Sequence, residues 1–309
     1  MICLMGPTAS GKTDTAVRLA NEFPVDIVSV DSALVYRGMN IGTAKPDDAT
    51  LHRHPHRLVD IREPEAPYSA GDFVRDAILE IDDIHGRGRL PLLVGGTMMY
   101  FRSLIEGIAD LPEGDPGIRV TIDQEASQDG WPAMHAKLKE IDPAAAARIS
   151  PNDSQRIQRA LEVYRICGRS LTECQSGTAP VRSDFSFIKM ALIPEPRAEL
   201  HARIAKRLDL MFEQGIMDEV RALMQRPELT AEHSAMRAVG YRQCWRHIDG
   251  SWTIDETRSK ALAATRQLAK RQLTWLRSES GLFIVNPLEV GAYEAISTHL
   301  RRALEPCKN

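Results

Sequence analysis

No stretch of about 18 consecutive apolar residues occurs in the 309-residue sequence, so no membrane-spanning helix is expected. The opening run Met1-Ile2-Cys3-Leu4-Met5-Gly6 has no basic segment ahead of its apolar residues, which argues against a secretory signal. Cysteine is scarce and scattered: Cys3, Cys167, Cys174, Cys244 and Cys307 never form Cys-x-x-Cys. That excludes the usual disulfide frameworks and zinc motifs, and reduced thiols in a cytoplasmic protein are the expectation. An excess of one charge is also missing, since 39 Lys and Arg face 42 Asp and Glu for a net charge of -3. Bulk charge therefore does not announce a nucleic-acid binder, and only a local patch could. Internal repeats and low-complexity segments are absent too. What remains, 43% hydrophobic and 26% charged residues, is the composition of a globular protein. The length allows one large domain or two ordinary ones with a sizeable core.

Hydrophobic periodicity divides the chain. Ile2 to Met5, Val25 to Val30 and Leu92-Leu93-Val94 read as short buried strands. Between them, Ala16, Leu19, Ala20 and Phe23, and then Phe73, Ala77, Ile78, Ile81 and Ile84, recur at helical spacing. Strands alternating with helices predict a parallel α/β sheet with helices on both faces. Residues 107–185 are different, with helical patterns and no convincing strand. Leu111-Pro112 and Asp115-Pro116-Gly117 mark a loop at the entrance, Asn152-Asp153 suits a helix N-cap, and Gly168 suits a helix stop. This segment reads as a helical insertion into a core made of residues 1–106 and 186–309. Phe187 to Ile193 and Phe283-Ile284-Val285 are strand-like, and stripes at Leu200, Ile204, Leu208 and Met211 and from Leu262 to Leu276 mark helices. No spare apolar stripe is left for a partner, so a monomer is expected.

The first strand runs into Gly6-Pro7-Thr8-Ala9-Ser10-Gly11-Lys12-Thr13, which fits G-x-x-x-x-G-K-[ST]. Glycines allow successive backbone N–H groups to converge, and the following helix aims its positive dipole end at the same spot. Lys12 supplies a cation and Thr13 a hydroxyl for Mg2+. The strand before and helix after make this a P-loop for a di- or triphosphate group, without fixing the reaction. A guanine-reading Asn/Thr-Lys-x-Asp is missing, and the third strand ends in Gly95-Gly96-Thr97 where a Walker B acid would stand.

Asp31 follows the second strand, at the sheet edge where α/β proteins bind ligands. From position alone it suits a Mg2+ ligand, a general base or a loop-ordering carboxylate. A small-molecule or nucleoside kinase and a nucleotide-dependent switch are both compatible with these features.

The next block narrows the choice. Asp31-Ser32-Ala33-Leu34-Val35-Tyr36-Arg37-Gly38-Met39-Asn40-Ile41-Gly42-Thr43-Ala44-Lys45-Pro46 resembles a signature of the tRNA dimethylallyltransferases. Further similar blocks are His56-Arg57-Leu58-Val59-Asp60, Tyr68-Ser69-Ala70, Val94 to Tyr100, Asn152 to Ile157, Val239 to Gln243, and Ala264 to Gln272. The resemblance implies a P-loop NTPase-like fold in which the loop grips dimethylallyl diphosphate with Mg2+, and transfer of the five-carbon group to N6 of adenosine 37 of tRNA. It implies that Lys12 and Thr13 stabilise the leaving diphosphate, Asp31 acts as general base, Thr97 orients base or substrate, and Arg207 reaches the pyrophosphate, with Arg203 the competing assignment. Leu34 stands where many members carry glutamine and Asn40 where aspartate is usual. The cysteine–histidine zinc finger of some eukaryotic members is absent, as in the compact bacterial type.

By the same resemblance, tRNA contacts are expected from Asp31, Ser32, Ala33, Leu34 and Thr97, from Arg119, Gln155, Arg156, Ile157, Gln158 and Arg159 of the insertion, and from Met236, Arg237, Ala238, Val239, Gly240 and Tyr241. Between Met236 and Arg277 nine Lys/Arg residues face three Asp/Glu. Arg266, Lys270 and Arg277 share one helical face, Arg271 is a further expected contact, and Trp275 and Leu276 are expected in the core. Such a basic track suits the phosphates of an anticodon stem.

Overall fold

The computed structural model describes residues 1–109, 111–176, 182 and 184–305; Cys307 lies outside them. The chain forms two compact units, Met1–Ser103 with Asp184–Asn309, and Leu104–Ser183. The first contains a six-stranded, all-parallel sheet of β1 (Ile2–Met5), β2 (Val25–Val30), β3 (His56–Arg57), β4 (Leu90–Gly95), β5 (Ile188–Leu192) and β6 (Leu282–Val285), in the order β3-β2-β4-β1-β5-β6. Its helices are α1 (Lys12–Glu22), α2 (Asp48–Arg53), α3 (Ala70–Gly86) and, in the later part of the chain, those after β5; α4 (Met98–Glu106) follows β4. The second unit carries α5 (Pro116–Asp129), α6 (Trp131–Ile141), α7 (Pro143–Arg148), α8 (Ser154–Cys167) and α9 (Leu171–Gln175). After β5 come α10 (Arg197–Glu213), α11 (Ile216–Met224), α12 (Tyr241–Ile248), α13 (Ile254–Ser278) and α14 (Ala292–Leu304). No helix among the described residues is long and apolar enough to cross a membrane.

The expected α/β class and parallel pairing are borne out. β1 is apolar along its whole length because it is buried on both faces, between β4 and β5 and beneath helices. Ile2, Leu4, Ala16, Leu19, Ile27, Leu92 and Met190 form the core, extended by Ile296 and Leu300 of α14. Among the elements that went unread, β3 has only two residues, too few for a period, and α14 followed the last recognised strand.

Register decides where the site lies. Gly95 of β4 pairs with Met5 of β1 on one side and Val30 of β2 on the other. The loops after all three strands therefore leave the sheet at one level and side by side. A Cβ on Gly95 would overlap the Val30 carbonyl, so only glycine lets the strand ends close up.

The second unit is helical among its described residues and packs Ile122, Met134, Leu138, Ile157 and Leu161 together. The expected entrance loop is present but ends at Asp115, and Pro116-Gly117 already belong to α5. Asp115 caps α5 by accepting from the Ile118 amide at 3.0 Å, and Pro116 occupies the first turn, where its missing N–H costs nothing. At α8, Asp153 is the N-cap and Gly168, at φ 70°, ends the helix.

Candidate active site

The loop of residues 6–13 joins β1 to α1. Ala9 and Gly11 take left-handed conformations, φ 63° and 88°, which turn successive amides toward one concavity. For Ala9 this is a strain of about 1–3 kcal/mol that the surrounding structure must hold in place. Lys12 folds back over the loop, donating to the Pro7 carbonyl at 2.7 Å and to Ser10 Oγ at 3.4 Å. Thr13 follows on the first turn of α1, with its side chain partly open to solvent.

Asp31 leaves β2 beside this loop. Its Oδ1 accepts from the amides of Ala33 and Leu34 at 2.8 and 3.3 Å, so one oxygen orders the turn and the other is left for chemistry. Thr97, after β4, accepts from the Ser32 amide at 3.0 Å and donates to Ser32 Oγ at 3.4 Å, while its own amide donates to the Val30 carbonyl. Asp31 and Thr97 are thereby held on adjoining strand ends.

Two cavities meet over the phosphate loop. The inner one, about 180 Å³, is lined by Asp31, Ala33 and Leu34, by the apolar Val94, Ile204, Leu208, Met211 and Leu268, and by Ala238, Val239 and Gly240. The outer one, about 840 Å³, carries the cations Lys12, Arg18, Arg203, Lys206 and Arg207 against Asp14 and Asp47. Ala9, Lys12, Thr13, Ala44, Pro46 and Arg207 border both. Arg207 donates to the Thr43 carbonyl at 3.1 Å; Arg203 reaches only the outer cavity, donating to the Ala9 carbonyl at 2.9 Å. Burial, reinforced by the charge of Arg207 and opposed by Asp31, pushes Lys12 down to about 7. Burial likewise holds Arg207 below its ordinary value, with Asp31 pulling the other way. Two poorly hydrated cations at one junction are matched to an anionic ligand. Among the groups lining the inner cavity, Ser29 Oγ and His56 Nε2 are buried without a hydrogen-bond partner among the described residues.

Three supporting residues received no role in the sequence reading, although Lys45 and Gln272 stand in the similar blocks. Glu219 of α11 accepts from the amides of Asn40, Ile41 and Gly42 at 2.9, 2.8 and 3.3 Å and from the Tyr241 hydroxyl. Tyr241 lies against Gly42, where a Cβ would overlap its ring. Lys45 bonds the Tyr36 carbonyl and Asp60, strapping the other end of this loop. Gln272 of α13 touches two of the strand-end loops. Nothing in the pattern around Glu219 separates it from any acid on an amphipathic helix.

The expected tRNA-contact residues differ in what they present. Lys270, Arg271 and Arg277 are exposed on α13 and Arg266 is exposed in the turn before them, and Ser32, Arg156 and Arg237 are exposed or partly so, as is Gln155. Ala238, Val239 and Gly240 line the inner cavity. Tyr241, Met236 and Ile157 are different: all are fully buried, so their side chains present no surface to RNA and serve packing instead. Arg119 and Arg159 converge on the buried Glu162, with nitrogen–oxygen distances of 2.8 and 2.7 Å, and Gln158 donates to Asp123 at 2.7 Å. Trp275 is not in the core; it is 38% exposed beneath the Arg102 guanidinium, while Leu276 is buried.

The fold and site define a P-loop α/β protein whose phosphate cradle opens onto an apolar cavity bearing a carboxylate. The IPP transferase family model matches residues 34–279, and the Isopentenyl transferase model residues 1–65. The chain belongs to this family, the tRNA dimethylallyltransferases. It is 52% identical to a tRNA dimethylallyltransferase of Thiobacillus denitrificans over 97% of this chain and 96% of that one. It is 55% identical to one of Alkalilimnicola ehrlichii, covering 91% and 89%. Among solved structures, the tRNA isopentenylpyrophosphate transferase of Bacillus halodurans is 34% identical, with a TM-score of 0.70 over 98% of this chain and 95% of that one. A eukaryotic dimethylallyltransferase acting on tRNA, 24% identical, shares the fold with a TM-score of 0.79 over 98% and 77%.

Proposed function

We propose that this chain transfers a dimethylallyl group from dimethylallyl diphosphate to N6 of adenosine 37 in tRNAs reading codons that begin with U, releasing diphosphate. The observation that carries the reading is the meeting of an apolar, carboxylate-bearing cavity with a cationic one at Lys12 and Arg207. The names of relatives 52% and 55% identical favour it over phosphoryl transfer by a kinase.

The chemistry follows from the two sides. The diphosphate lies over residues 6–13 at the α1 N-terminus, and the allyl group points into the apolar cavity. The N6–carbon bond forms as the carbon–oxygen bond breaks, and Asp31 takes the proton from N6. General-base catalysis of this kind contributes roughly 10²–10⁴-fold. Charge developing on the departing oxygens is met by Lys12, Arg207 and loop amides. Thr97 orients Asp31's neighbourhood through Ser32. Adenosine 37 must leave its stack to enter the inner cavity, while α13 holds the anticodon-stem phosphates.

No cluster of three or more His, Cys, Asp or Glu side chains among the described residues is arranged for a metal ion. Mg2+ at diphosphates takes most of its ligands from phosphate and water, with one or two protein oxygens. The Thr13 hydroxyl, on a residue bordering both cavities, fits that requirement. Bound there, Mg2+ would neutralise part of the leaving-group charge. We take the protein to be cytoplasmic and to act as a monomer.

The test is incubation with labelled dimethylallyl diphosphate, Mg2+ and tRNA bearing A36-A37. Label is expected on the RNA. Unlabelled RNA together with robust ATP hydrolysis would sink the proposal.

A further inference from the structure

We propose that Gln272 is a positioning residue that holds the diphosphate cradle and the acceptor-side loop at one fixed spacing, an inference that rests on the prenyl-transfer reading above. The residue is 9% exposed, and its side chain sits between the two loops. Oε1 accepts from the Thr8 amide at 2.9 Å, and Nε2 donates to the Gly96 carbonyl at 2.8 Å. An amide N–H can only donate and a carbonyl can only accept, so this orientation of the carboxamide is dictated. One side chain therefore joins the loop that grips the leaving group to the loop that carries Thr97.

Gly96 provides an independent observation. Its backbone is not left-handed, so conformational freedom does not require glycine there. Space does: a Cβ would come within 2.5 Å of Gln272 Nε2 and 3.2 Å of the Gly6 carbonyl. The position is kept bare by the approach of the glutamine. Gln272 also follows directly on Lys270 and Arg271, both exposed on α13. The rigid helix that offers its outer face to RNA thus fixes both loops with its inner face, and all three share one reference frame. Asparagine would be a methylene too short to span the loops. Glutamate would keep the acceptor for Thr8 but turn a negative oxygen on the Gly96 carbonyl.

The consequence lies in the bond-forming step. Donor carbon and N6 must meet in line, and a misplacement of 1 Å can cost about 10²-fold. Gln272→Met, of similar length and without hydrogen bonds, should slow single-turnover transfer roughly 10- to 100-fold. Its affinity for an anticodon stem-loop should stay within about twofold, since the side chain is 9% exposed and both its polar atoms are bonded to loop backbone. Gln272→Glu, the second variant if the methionine protein does not fold, should fall in the same range. Gly96→Ala combined with Gln272→Met should be no slower than the slower single variant, because both remove the same link. Folded Gln272→Met protein with the wild-type rate overturns the proposal, as does a loss that tracks only the fraction of folded protein. Wild-type protein that transfers no label sinks the prenyl-transfer reading alone. Calorimetric binding of inorganic pyrophosphate then decides the role of Gln272: weaker binding by Gln272→Met supports it, and an unchanged Kd overturns it.

Discussion

Arg207 donates from Nη2 to the Thr43 carbonyl at 3.1 Å, and this bond fixes its guanidinium at the junction of the two cavities. Arg203, one turn earlier on α10, bonds the Ala9 carbonyl and lies over Gly11 at the outer rim. Arg207→Ala should therefore raise the KM for dimethylallyl diphosphate more than Arg203→Ala. Hydrogen bonds to charged groups are worth about 1.5–3 kcal/mol, so a roughly 10- to 100-fold weakening is expected for Arg207→Ala. Titration of both variants with the donor and with inorganic pyrophosphate checks the order. A larger loss at Arg203 would transfer the assignment to it.

The proposed base role of Asp31 can be separated from the turn that it orders. Oδ1 orders the turn through Ala33 and Leu34, and asparagine keeps that acceptor while losing the basic oxygen. Asp31→Asn should fold and bind tRNA like the wild type but lose roughly 10²–10⁴-fold in single-turnover rate. Asp31→Ala should lose stability in addition. If Asp31→Asn transferred label at the normal rate, the carboxylate would be only a loop-ordering group.

The phosphate loop, the Asp31 position and the sheet were legible because each rests on a local pattern. An apolar run, a glycine turn and a lysine name themselves along the chain. Glu219 and Gln272 were not legible, because each acts on backbone 176 or more residues away and neither breaks the helical pattern around it. Tyr241 shows a packing role that its block does not spell out. It stands in a recognisable block, and in the structure its ring covers Gly42 while its hydroxyl reaches Glu219. Trp275 was misread, since an arginine rather than the core covers its ring.

The loop that Glu219 and Tyr241 hold lines the inner cavity, so its support should be visible in both stability and catalysis. Removing a carboxylate that accepts from three amides leaves those partly exposed donors to water and loses charge-assisted hydrogen bonds, each worth about 1.5–3 kcal/mol at most. Glu219→Ala should accordingly lower the urea midpoint and raise the KM for the donor. Tyr241→Phe, which keeps the ring on Gly42, should be much milder than Gly42→Ala, which drives the two apart. Equal behaviour of these last two variants would show that the hydroxyl, not the packing, sets the loop.

The proposed recognition of tRNA by α13 makes a quantitative claim about salt. Arg266 and Lys270 lie one turn apart on α13 and have no ion-pair partner among the described residues, so their charges are available to phosphate. Each phosphate that a cation neutralises releases condensed counterions, and every such pairing removed changes the slope of log K against log salt by roughly 0.7–0.9. Arg266→Ala with Lys270→Ala should weaken tRNA binding and flatten the slope by roughly 1.5. The single-turnover rate at saturating tRNA should be nearly unchanged, because neither side chain lines the cavities. Filter binding between about 50 and 200 mM salt, the range over which such pairings are read, distinguishes the outcomes. An unaltered slope would make this face of α13 a merely solvated one and move the phosphate track elsewhere on the protein.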